Sequence, residues 1–106
     1  MTNPTTKPGV SEIVSFHLSA GVTAAAIVAL AATSAEFVTR QPGFVGRRLS
    51  KGADGRWTDY VLWSDMDAAQ AAGALYGKQS FAEKQISAIA KEAFSMRHET
   101  IHWQQT

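Results

Sequence analysis

No cysteine occurs in the sequence. Disulfides and thiolate-bound metals therefore cannot supplement the core, and nucleophilic cysteine chemistry is excluded. Excess charge is also lacking: 10 Lys and Arg against 9 Asp and Glu leave a formal net charge of +1. The charges are scattered, and Arg47–Arg48 is the one basic doublet. A nucleic-acid-binding domain presents a clustered basic face, so no nucleic-acid partner is expected. A membrane span is missing too. The charge-free stretch Ser19–Ala35, SAGVTAAAIVALAATSA, is shorter than the roughly 20 apolar residues a span needs, and Ser, Thr and Gly dilute it. The segment before it carries Glu12, with Lys7 its one basic residue, which does not fit a signal peptide. The stretch reads as an alanine-rich soluble helix, and a cytoplasmic location without membrane partners is expected. Gly52-Ala53-Asp54-Gly55 lies in a hairpin rather than a strand-to-helix turn, so phosphate cradling is not expected. Neither a nucleophile elbow nor a Ser-His-Asp order is visible.

What remains is a chain of 106 residues, enough for one domain. A domain of this size buries only about two-thirds of its unfolded surface, and association is one remedy for the modest stability that follows. Residues 1–10 contain Pro4, Pro8, Gly9 and three threonines and read as a flexible tail before a single domain over 11–106. Ser11–Leu18 alternates with period two, Val14, Phe16 and Leu18 pointing one way and Ile13, Ser15 and His17 the other. Thr23 is a candidate N-cap for a helix with Ile27, Leu30, Ser34, Phe37, Val38 and Gln41 on one face; Pro42–Gly43 stops it. Glu36 and Arg40 are spaced to pair on its other side. Strands are expected over 44–50 and 56–64, joined by the hairpin glycines. Ser64 with Asp67, and Ser80 with Glu83, form capping boxes that open two further helices. The second presents Ala82, Ile86, Ile89, Ala90 and Ala93 inward, and a last strand covers 96–103. The order is β-α-β-β-α-β with the second helical region broken in two, an α+β, ferredoxin-like plan.

Within that plan, Gln41-Pro42-Gly43-Phe44, the hairpin with Gly55-Arg56-Trp57, and Val61-Leu62-Trp63-Ser64 leading into a helix resemble the dimeric α/β-barrel superfamily, in particular its antibiotic-biosynthesis-monooxygenase-like domains. The resemblance covers about Ser11 to Trp103. It implies a homodimer whose sheets pair across a two-fold axis, with a small pocket between sheet and helices in each protomer. Members include cofactor-free oxygenases of polycyclic phenols, haem-degrading enzymes and isomerases. Haem degraders use a first-strand asparagine, a tryptophan and a helical histidine. Here Val14 stands at the asparagine position and the second helical region has no histidine, with His98 and His102 on the last strand. Trp63 alone matches, so no haem and no other cofactor is expected.

Period two places Trp57, Asp59, Val61 and Trp63 on one face of the third strand. A carboxylate flanked by tryptophans is a candidate catalytic base for a phenolic or carbon acid. The alternative is that Asp59 pairs with Arg48 or Arg97 while the tryptophans fill the core. Phe16, Trp57, Trp63 and Tyr76 are candidate pocket-lining residues, against the favoured alternative that a small domain needs them as core. His17 and His98 fall on neighbouring strands, side by side in this plan, but a third ligand is not evident and no metal site is expected. Ile13 and Phe44 are expected to point away from the helices, leaving an apolar sheet face for a second copy to cover. The favoured reading is a monooxygenase-like domain, a cofactor-independent oxygenase acting on a small aromatic substrate. The alternative is a non-catalytic dimeric module that binds a small ligand or regulates a neighbour. An open cavity between sheet and helices favours the first, and a solidly packed one the second.

Overall fold

The computed structural model describes residues 7–105. Seven elements follow in order: β1 (Val10–Phe16), α1 (Ala24–Arg40), β2 (Phe44–Lys51), β3 (Trp57–Trp63), α2 (Met66–Tyr76), α3 (Ala82–Ala88) and β4 (Ser95–Thr100). The strands form one antiparallel sheet in the order β2-β3-β1-β4, the ferredoxin-like arrangement. The helices cover one face, and no helix among the described residues is long and apolar enough to cross a membrane. Of the expected tail, residues 1–6 lie outside the described residues. Val10 is already in β1, paired with Trp63 and Thr100.

Local chemistry sets the boundaries of α1. Thr23 caps it, its Oγ1 accepting from the Ala26 N–H at 3.1 Å. Pro42–Gly43 ends it, and Gly43 takes φ +85°. A Cβ at Gly43 would sit 2.5 Å from the Ala68 Cβ and 2.6 Å from the Ser64 Oγ, so glycine is needed for both conformation and space. The close approach lets Ser64 N donate to the Gly43 carbonyl at 2.7 Å. Asp65, rather than Ser64, caps α2 by accepting from Ala68 N at 2.8 Å.

Three expectations fail on non-local grounds. First, α3 stops at Ala88, and Ser80 provides no cap, since Phe81 occupies the N-cap position without a side-chain hydrogen bond. Beyond Ala88 the chain pairs with the continuation of β1: Ser19 N donates to Ala88 O, Ala90 N donates to His17 O, and Leu18 bridges Ile89. These bonds replace further helical turns and leave Ile86 exposed. Second, β2 carries a β-bulge between Phe44 and Gly46. The extra residue inverts the alternation at that point, so Phe44 turns inward and packs edge-on against Trp63, centroids 6.0 Å apart. Third, the β1–β4 register sets His98 opposite Glu12. His17 lies past the other end of that ladder, so the two histidines are not neighbours.

The core divides into two clusters beneath the helices. One holds Val38, Val61, Trp63, Ala69 and Ala72, with Phe37, Phe44 and Tyr76 packed against it. The other holds Phe16, Ile27, Trp57 and Ala88. On the opposite sheet face, Ile13 is buried, Arg48 lies over the Tyr60 ring at 5.0 Å, and the Tyr60 hydroxyl bonds Ser11 Oγ at 2.8 Å.

Candidate functional site

Between the sheet and α1, α2 and α3 lies an open cavity of about 310 Å³. That is near the lower end of the roughly 300–1,000 Å³ typical of small-molecule sites. Its walls are mostly apolar. Val38, Val61, Trp63, Tyr76, Ile89 and Met96 contribute most of them, and Gly73 and Gly77 open the α2 side. A Cβ at Gly73 would meet no atom within 4 Å, so a side chain there has open space before it.

Three polar groups converge on this apolar space: Asp59 with Arg47, Tyr76 with Gln85, and Glu12. Asp59 projects inward from β3, as the alternation predicts. Its partner is Arg47, neither Arg48 nor Arg97. Arg47 Nε donates to Asp59 Oδ1 at 3.0 Å and Nη2 to Oδ2 at 2.8 Å, while Nη1 donates to the fully buried Ser34 Oγ at 2.9 Å. The β2 bulge is responsible: it turns Arg47 toward the helices and Arg48 toward the open sheet face. Both side chains of the pair are nearly buried, and the bidentate geometry is the strong form of this contact. Asp59 is thereby an occupied acceptor in an ion pair, with a partner other than the two expected.

Trp63 and Tyr76 stand in the cavity wall with Asp59. Phe16 and Trp57 do not, because they face each other across β1 and β3 in the second cluster. They share the inner sheet face with Trp63, but Trp57 is six residues from Trp63, about 20 Å along a strand. The Tyr76 hydroxyl donates to Gln85 Oε1. Burial pushes the Tyr76 phenol up from its ordinary value, with Ser34 and Arg47 acting in the opposite direction.

Glu12 is the residue the sequence reading passed over. A signal was present: counting back by two from Phe16 and Val14 puts a carboxylate on the inner, apolar face of β1, a central strand. Glu12 faces the cavity, and His98 Nε2 lies 3.3 Å from its Oε1. Burial raises the Glu12 carboxyl above its ordinary range. His98 pulls it back down, and Asp59 adds a smaller upward push. The Trp63 indole N–H is close enough to favour the Glu12 anion, yet it is buried and makes no hydrogen bond of normal geometry. Among the described residues, no group of three His, Cys, Asp or Glu is placed to hold a metal ion.

No family model and no curated protein sequence matches the chain. Solved structures do. SnoaB, a cofactor-independent oxygenase from Streptomyces nogalater, is 25% identical with a TM-score of 0.70, over 93% of this chain and 96% of that one. A protein assigned as an antibiotic biosynthesis monooxygenase from Bordetella bronchiseptica superposes with a TM-score of 0.76 at 21% identity, over 92% of this chain and 100% of the other. A protein from Nitrosomonas europaea with the same assignment gives a TM-score of 0.71 at 14% identity, covering 94% of this chain and 96% of its own.

Proposed function

From the premise that this is a monooxygenase-like domain with the fold of the dimeric α/β-barrel, antibiotic-biosynthesis-monooxygenase-like superfamily, we propose that the chain is a cofactor-independent oxygenase of a small, electron-rich aromatic substrate. The observation that carries the reading is the cavity: open, apolar, walled by Trp63 and Tyr76, and holding buried ionisable side chains. A non-catalytic module has no need of buried ionisable groups facing an open space, and desolvating them costs stability. The likeness to SnoaB supports the same reading.

The chemistry this cavity suits begins with loss of a proton from an activated methylene of a phenolic ring system. The electron pair left on carbon reduces dioxygen, and carbon–oxygen bond formation gives a hydroperoxide. Loss of water from it leaves a carbonyl, one oxygen atom in the product and the other in water. The substrate supplies all the electrons. The protein's part is to desolvate and orient the ring, hold the negative charge and accept the proton. In this reading Trp63 and Tyr76 grip the ring, and the Arg47–Asp59 pair braces the wall.

The same reading makes the chain a homodimer through the sheet face that carries Ile13, Tyr60 and Leu62. Sedimentation at micromolar concentration should give twice the chain mass, and a monomer there would remove the dimer from the reading. The function is tested by oxygen uptake with a two- or three-ring phenolic ketone bearing an acidic methylene, without added metal, flavin or haem. Expected is consumption of one dioxygen per carbonyl formed. Absence of uptake across a panel of such ketones, with the cavity shown by titration to bind them, would overturn it.

A further inference from the structure

Three features stand out among the described residues. A shallow apolar groove between α1 and β2, lined by Val28, Ala32 and Leu49, has nothing to specify an occupant. The Arg47–Asp59–Ser34 cluster is fully satisfied internally. The third is different: Glu12 faces the cavity, and its one hydrogen-bonding contact of normal geometry is with His98. We infer that Glu12, which faces this cavity, is its proton acceptor and that His98 positions it. The fate of the resulting carbanion rests on the oxygenase reading above, whereas the proton transfer can be measured apart from it.

The geometry separates the two cavity carboxylates by role. Asp59 spends both oxygens on Arg47. The contact between Glu12 and His98 is a single long one, on Oε1, so Glu12 keeps lone pairs free toward the cavity. The groups around it are few. β4 contributes His98, β3 contributes Asp59 and Trp63, β2 contributes Arg47 already engaged by Asp59, and α2 contributes Tyr76. Burial makes Glu12 a stronger base than an exposed glutamate, which brings its proton affinity closer to that of a weak carbon acid. The step is simple: the substrate C–H bond breaks, the proton forms an O–H bond to Glu12, and the electron pair delocalises onto the ligand's own carbonyl oxygen.

The test uses 2-tetralone, a two-ring aromatic ketone with acidic C1 hydrogens, incubated with the protein in deuterated buffer without oxygen and followed by NMR. The wild type should accelerate exchange at C1 over buffer. Glu12→Gln should lower that rate by about 10²–10⁴-fold, the usual contribution of a general base, and Glu12→Asp should retain part of it. Thermal unfolding of each variant checks that the domain remains folded. His98→Gln should keep measurable exchange but move the pH midpoint of the rate upward, because His98 holds the Glu12 value down; a purely structural histidine would leave the midpoint in place. Exchange that is lost in Glu12→Gln, with no oxygen uptake by any ketone of the panel, supports Glu12 as the acceptor and defeats the oxygenase reading instead. Equal exchange by folded Glu12→Gln, or none by the wild type, overturns the inference.

Discussion

Removing one member of the Arg47–Asp59 pair should be among the most costly single changes in this domain. The side chains are 13% and 12% exposed, and Arg47 is tied by three hydrogen bonds. In Asp59→Asn the guanidinium stays buried without a counter-charge. Taking away one partner of a buried pair costs about 3–5 kcal/mol; the residual solvent contact here argues for the lower end. For a domain near 100 residues each kcal/mol shifts Tm by about 4–8 °C, so about 3 kcal/mol corresponds to a drop of roughly 12–24 °C. Total stabilities of roughly 5–15 kcal/mol make that a large share. The sharper assay is a double-mutant cycle by urea unfolding with Arg47→Met, Asp59→Leu and both together. Each single variant should be strongly destabilised, while the double variant should recover most of the loss, since apolar replacement of a buried pair is often neutral or better. Glu36 and Arg40 pair on the exposed side of α1, and Glu36→Gln serves as the control, expected to change little. If Asp59→Asn costs less than about 1 kcal/mol, as an exposed pair would, the bracing role is wrong.

Gly43→Ala should destabilise the domain by at least about 1–3 kcal/mol, because it combines a left-handed backbone with a clash against α2; an unchanged urea midpoint would contradict this. Gly73→Ala should do the opposite for stability, adding up to about 1 kcal/mol from helix propensity. Gly73 lines the cavity, so a methyl there should lower affinity for 2-tetralone, measured by calorimetry. Glu12 has its folded-state value raised, so its contribution to stability is present at low pH and lost as pH rises through that value. Wild type should therefore lose stability relative to Glu12→Gln from about pH 4.3, the ordinary glutamate value, upward, and parallel stability–pH curves for the two proteins would contradict the burial argument.

The element order was legible in the chain because it rests on local rules. Period two marks β1 and β3, Thr23 and Pro42–Gly43 bound α1, and the Gly52–Gly55 segment turns the hairpin, each depending on residues a few positions apart. The inward aim of Asp59 and Trp63 follows from the same alternation. Tertiary structure alone decided what those residues meet. One unpaired residue in the Phe44–Gly46 bulge reverses the phase of β2, so it is Arg47 that reaches Asp59 and Phe44 that joins the core. Backbone bonds from the end of β1 cut α3 short at Ala88, because a strand partner far along the chain competes with the helix for the same donors and acceptors. The β1–β4 register sets His98 against Glu12. Local periodicity states which face a side chain takes, but register, bulges and strand partners are set by the whole sheet, and they decided which cavity carboxylate is held by an arginine and which meets a histidine.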